Sequence, residues 1–128
     1  STIMDTNVHY LKNIKTGEIK RNNSNIEIGK NCWINSGSII TKGTVIPDYC
    51  ITARNSFLNK NYSLTNSSHT LFAGSPAKKI QTDLQRIFDR NEEEKIDIFF
   101  SHNKNINTYM SNKGIFNEPN EIPSLFKL

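Results

Sequence analysis

Between Asn25 and Leu64 an aliphatic position recurs every six residues: Ile28, Ile34, Ile40, Ile46, Leu58 and Leu64, with Thr52 the polar member of the series. A second column runs two residues ahead, through Ile26, Cys32, Ser38, Thr44, Cys50, Ser56 and Tyr62, and is mostly small. This period fits neither an α-helix, which repeats every ~3.6 residues, nor a flat strand, which repeats every ~2. It fits a solenoid in which each hexad supplies one short strand and one turn, so that three hexads close a coil of about 18 residues. Side chains alternate along a strand, so the aliphatic residue and the one two before it both point inward. The earlier one lies near a corner and has to be small. Cys32 and Cys50 stand one full coil apart in this column. They are expected to stack about 4.8 Å apart along the ladder, as small core residues rather than as a disulfide or metal pair.

Turn chemistry agrees. Gly29-Lys30-Asn31, Asn35-Ser36-Gly37, Lys42-Gly43 and Pro47-Asp48 fall just after the aliphatic positions, and Gly, Asn and Asp accept the positive φ that tight corners need. Two polar segments interrupt the repeat. Tyr10 to Ser24, with Thr16-Gly17, is expected to form a loop thrown out of the coil stack, and Asn61 to Thr70 is a second interruption. Leu71 to Ile80 reads as a last strand and turn, and Ile80 to Phe88 suits strand or helix equally. Asn91 with Glu94 resembles a capping box, and Ile96, Phe99 and Phe100 supply an apolar face. Together they predict a helix from about Glu92 to Ser101. From Asn103 onward, Pro119 and Pro123 among polar residues predict an extended tail, with Phe116, Leu125 and Phe126 packing on the body or a neighbouring subunit. The expected class is mainly β: a parallel β-helix over residues 1–80 with loop 10–24, then a helical extension and tail over 81–128.

Only about two and a half coils are visible, and a solenoid needs about three. With Ser1 rather than Met at the start, upstream coils, a trimeric assembly, or both are expected. No apolar run approaches the ~18 residues of a membrane span, and no secretion signal is evident, so a cytoplasmic location is expected. The net charge of +4 and pI ≈ 9.1 raise the question of nucleic acid. The lysines are scattered and acids such as Glu92, Glu93 and Glu94 lie among them, without the clustered stripe that nucleic acid requires. A ligand carrying phosphates suits the same balance.

Three stretches carry a family resemblance. Ile28-Gly29-Lys30-Asn31-Cys32-Trp33-Ile34 resembles the "IGxxxWI" element of hexapeptide-repeat acyltransferases, and Gly74-Ser75-Pro76-Ala77-Lys78-Lys79-Ile80 resembles their closing "GxPAKxI" element. Asp5-Thr6-Asn7-Val8-His9 is similar to their "DTDxH" segment, and His9 precedes Trp33 by the length of four hexads. That order and spacing are those of the galactoside-type and the capsule or sialic acid O-acetyltransferases. The resemblance covers Ser1 to about Ile80 and implies a left-handed β-helix, a homotrimer, and acetyl-CoA as acyl donor in the groove between adjacent subunits. It implies His9 as general base and Trp33 as a wall of the acyl site. It further implies Ser36 and Arg54 along the pantetheine arm, Asn59 and Lys60 reaching the cofactor, and Lys78 near the nucleotide phosphates. Arg54 departs from the small residue usual in the family, so it alters the arm's path or itself binds phosphate. The stretch from Lys60 to Gly74 is longer than the common form, and the upstream residues that help hold the acceptor lie outside this sequence.

The chemistry suits a histidine. A hydroxyl is a poor nucleophile at neutral pH, and a base in hydrogen-bond reach must take its proton as it attacks the thioester. Imidazole, with an ordinary pKa near ~6.5, is substantially neutral there. Its second nitrogen needs a partner, for which Asp5, Asn7 and a backbone carbonyl all qualify. The oxyanion donor is expected from a backbone N–H or the Trp33 indole. No cysteine is placed as a covalent nucleophile, so direct transfer is expected. His69 and His102, without motif context, are expected at the surface. The three histidines do not sit at multiples of the coil period, which argues against a metal site. The expected activity is acetyl transfer to a sugar hydroxyl of capsule, lipopolysaccharide or sialic acid type. N-acetylation of an amino sugar or small amine, and a non-catalytic scaffold, are the alternatives. The sugar preference comes from the family, not from any residue of this chain.

Overall fold

The computed structural model describes residues 1–5, 9–111 and 114. It contains nine short strands, a 3₁₀ turn and one helix among these residues. They form two compact units, Ser1–Gln85 and Arg86–Leu128.

The first unit is the solenoid. Its strands are β1 (Thr2–Met4), β2 (Glu27–Ile28), β3 (Trp33–Ile34), β4 (Ile39–Thr41), β5 (Val45–Ile46), β6 (Ile51–Thr52), β7 (Phe57–Leu58), β8 (Leu71–Gly74) and β9 (Ala77–Gln81). They build three parallel faces, β1-β4-β7, β2-β5 and β3-β6-β8, the last extended by β9 running antiparallel to β8. Ile28 pairs with Ile46, Ile34 with Thr52 and Ile40 with Leu58, each three hexads on. The hexad repeat of the sequence is therefore the coil of the structure. The corners obey it too: Asn31, Gly37, Gly43, Tyr49 and Asn55 all have positive φ, at intervals of six. At the first of these corners the positive φ falls on Asn31, and Gly29 serves a close approach to the next coil instead.

Ile40, Ile46, Leu58 and Phe72 are completely or almost completely buried, each worth roughly 1.5–3 kcal/mol of transfer free energy. The small column is polar but satisfied. Ser38 Oγ lies 3.2 Å from Thr52 Oγ1, Thr44 Oγ1 donates to Leu58 O at 3.0 Å, and Ser56 Oγ donates to Ala53 O at 2.8 Å. Buried hydroxyls are tolerated only when bonded in this way. Cys32 and Cys50 are free thiols in the same core, and burial raises both thiol pKa values, that of Cys50 to about 11.

Leu64 departs from the expected register and is 79% exposed. Asn61 Oδ1 accepts from Ser63 N and starts the 3₁₀ turn Tyr62–Leu64, which swings Leu64 outward. Tyr62 fills the interior instead, stacking at a tilt on Phe72 and donating its hydroxyl to Ala77 O at 2.8 Å. The detour makes the next coil slightly longer than three hexads, since Thr52 pairs with Phe72 rather than with the residue at position 70. His69 is not a surface residue either. It occupies the corner one coil beyond Tyr49, half-buried, its ring stacked on Tyr49 at 4.8 Å.

The longest interruption lies between β1 and β2. Ile3 pairs directly with Ile40, more than two coils' length of chain later, so one extra segment is inserted within a coil. It turns back as a hairpin bridged at Lys12 and Ile19, with Gly17 at φ +77°. Asn13 closes the turn, its Oδ1 accepting from Lys15 N and Thr16 N.

The second unit contains α1 (Arg90–His102). Its cap is Asp89, whose side chain accepts from Asn91 N at 2.9 Å, in place of the Asn91 cap expected from sequence. Phe99 packs edge-on against Phe100 and Tyr109. The tail residues Phe116, Leu125 and Phe126 lie outside the described residues.

Candidate functional site

His9 is exposed where the chain leaves β1 and enters the hairpin. Two bonds fix the root of this insertion: Ser24 N donates to Asp5 O at 3.0 Å, and Lys42 Nζ donates to Arg21 O at 3.3 Å. Between hairpin and coil stack lies a cleft of about 390 Å³. His9, Leu11, Lys12, Asn13, Glu18, Lys20, Arg21, Asn22 and Lys42 line it. His9 thus meets both solvent and this cleft. Of the groups expected to orient its ring, Asn7 lies outside the described residues. Asp5 lines a separate hollow with Ile3, Asn25, Ile26, Glu27 and Ile28.

The other expected site residues stand on the outside of the coils. Trp33, on β3, is 39% exposed and pairs with Ile51. Ser36 and Arg54 occupy one corner in successive coils, both exposed, with Asn55 N donating to Ser36 O at 3.1 Å. Asn59 and Lys60 are exposed at the corner after β7, one coil beyond Thr41 and Lys42, and Lys60 O accepts from Val45 N. Lys78 is exposed on β9. None of these six lines the His9 cleft within one chain. The four cations that do line it were not singled out in the sequence. The available signal was local: Lys12, Lys15, Lys20 and Arg21 face Glu18 alone within the insertion.

Among the described residues no group of three or more His, Cys, Asp or Glu side chains is placed to hold a metal ion. No described helix is long and apolar enough to cross a membrane.

Comparison of the fold with solved structures gives two informative likenesses. One is the polySia-specific acetyltransferase NeuO, with a TM-score of 0.62 and 15% identity over 86% of this chain and 48% of that one. The other is the polysialic acid O-acetyltransferase OatWY, with a TM-score of 0.60 and 22% identity over 76% of this chain and 47% of that one. The chain shares the fold of these two acetyltransferases. It spans about half the length of either neighbour. No family model and no curated protein matches the sequence.

Proposed function

We propose that this chain is part of an acetyltransferase that moves an acetyl group from acetyl-CoA to a sugar hydroxyl, with His9 as general base. The observation that carries this reading is the position of His9. It is an exposed imidazole on the rim of a cleft, in a solenoid whose fold is that of two polysialic acid acetyltransferases. In the proposed reaction His9 takes the proton of the acceptor hydroxyl as its oxygen attacks the thioester carbonyl. The C–S bond breaks as the tetrahedral intermediate collapses, and the thiolate leaves to be protonated as free CoA.

The separation of His9 from Trp33, Ser36, Arg54, Asn59, Lys60 and Lys78 supports an active site shared between copies. We assign the donor to a groove between two subunits of a homotrimer, His9 coming from one and the corner residues from its neighbour. Exposed side chains at successive coils of one corner suit an extended pantetheine arm, and Lys60 and Lys78 suit its phosphates. We further assign a left-handed coil, on the strength of the sequence resemblance and the two neighbours. We take residues 1–80 as the acyl-transfer unit, 81–128 as an accessory extension, and the cytoplasm as its location, where acetyl-CoA is made.

The test is thiol release from acetyl-CoA with a panel of glycans, followed by mild base treatment of the product. Acceptor-dependent release of a base-labile acetyl ester is expected. A base-stable product would shift the reaction to an amine. Absence of both release and CoA binding would leave only a scaffold.

A further inference from the structure

The inserted hairpin has no core of its own. Every side chain from Tyr10 to Arg21 is exposed, yet Tyr10, Leu11, Ile14 and Ile19 are large and apolar. The exposure is built into the turn. Gly17 N donates to Asn13 O at 2.8 Å and Asn13 N to Glu18 O at 2.9 Å, while Asn13 Oδ1 takes Lys15 N and Thr16 N. These bonds set Ile14, 89% exposed, at the apex. Turns are ordinarily built from Gly, Pro, Asn, Asp and Ser, and a β-branched aliphatic there adds nothing to the solenoid.

The hairpin has two faces. Lys12 bridges Ile19. Residues directly opposite share a face, and alternate residues return to it. Tyr10, Lys12 and Ile19 therefore stand on one face, and Leu11 and Lys20 on the other. Leu11 and Lys20 line the His9 cleft, whereas Tyr10, Ile14, Lys15 and Ile19 do not. What points away from the cleft is thus an apolar tip rimmed by lysines. Glu18 is the one acid from Tyr10 to Ser24, and it stands 4.0 Å from Lys20.

An exposed apolar patch with a polar rim marks a contact surface. A nucleic acid would use the lysines and leave Ile14 in water. A second copy of this chain carries the same net charge of +4 and is repelled overall. An anionic bilayer takes both parts. The tip enters the acyl boundary, and the lysine stems lie along it with their ammonium groups among the headgroups. We propose that the outward face of the hairpin, Tyr10, Ile14 and Ile19 with Lys12 and Lys15, binds the surface of an anionic lipid bilayer without crossing it. The His9 cleft, on the hairpin's other face, is then held close to that surface. This inference is independent of the acetyl-transfer reading.

The experiment is co-sedimentation of the full chain with vesicles of phosphatidylcholine alone, or of an equal mixture with phosphatidylglycerol. The variants are Ile14→Asp, Ile14→Leu and Lys12→Gln/Lys15→Gln, with Leu64→Ser and Lys78→Gln/Lys79→Gln as controls elsewhere, all at exposed positions. Circular dichroism checks that each retains the parent fold. The parent is expected to partition at least about tenfold more strongly onto the anionic vesicles. Ile14→Asp is expected to lose at least about tenfold, and Ile14→Leu to keep the parent value. Each hairpin lysine is expected to contribute about fivefold, shrinking as salt screens the surface. The two controls are expected to bind as the parent does. Equal binding to both vesicles, undiminished binding by Ile14→Asp, or an equal loss in either control would overturn the proposal. Loss of self-association in Ile14→Asp, with no vesicle binding by the parent, would also overturn it and make the face a subunit contact.

Discussion

Replacing Gly29 by Ala should destabilise the solenoid more than replacing Gly43, although only Gly43 has positive φ. A Cβ on Gly29 would lie 2.5 Å from both Asp48 N and Asp48 Oδ1, and 2.7 Å from Pro47 C, all in the next coil. Restoring a contact of 3.4 Å requires the coils to part by about 0.9 Å at that corner. Two bonds of 2.8 Å cross the same gap, Lys30 N to Asp48 Oδ1 and Gly29 N to Ile46 O. Opened by that much, both leave the useful range for an N–H···O bond. The first is charge-assisted, worth about 1.5–3 kcal/mol, and the second about 0.5–1.5. Asp48 is exposed, which favours the lower end, so about 2–3 kcal/mol is expected in total. A Cβ on Gly43 meets only Ser24 Oγ at 3.6 Å and Ser24 Cβ at 3.9 Å, leaving the left-handed backbone cost of about 1–2 kcal/mol. Urea unfolding followed by circular dichroism measures both variants against the parent. Gly29→Ala within about 0.5 kcal/mol of the parent, or less damaging than Gly43→Ala, would refute the account of coil-to-coil contact.

Phe72→Ala removes the largest fully buried side chain and should cost about 3–5 kcal/mol, whereas Leu64→Ser, at a position 79% exposed, should stay within about 0.5 kcal/mol; equal losses in thermal melts would restore the simple hexad register. Burial raises the Cys50 thiol to about 11 from 9.0 and raises Cys32 in the same direction. The folded state therefore holds protons that the unfolded state releases, and stability should fall as pH rises from about 9 toward 11. Denaturant midpoints across that window measure it, and Cys50→Ala should flatten the decline. Asp89→Ala removes the N-cap of α1 and should cost about 1 kcal/mol of local helix stability, read as faster amide exchange over the first turn of α1 than over Phe57 or Leu58 in the solenoid.

The coil was legible because its core is built mostly from aliphatic residues at one interval. Ile40, Ile46 and Leu58 announce the repeat, and the register pairs follow from it. The register failed at Leu64 because a local bond, Asn61 Oδ1 to Ser63 N, outcompeted the strand. The slight lengthening of that coil then moved the core position to Phe72. Tyr49 was unreadable as a left-handed corner, since an aromatic side chain gives no hint of positive φ. Only the coil above explains it, where His69 stacks on its ring. The cleft was half legible. His9 stands in a motif, but its cationic neighbours depend on the hairpin folding back so that Lys42 meets Arg21, far from it in sequence.

Acetyl transfer by His9→Asn is the most direct test of the central claim, with acetyl-CoA affinity and the unfolding midpoint measured on the same sample. The account predicts kcat reduced by about 10²–10⁴-fold, with donor affinity and stability preserved. Undiminished transfer by the variant would contradict the account, whatever the acceptor.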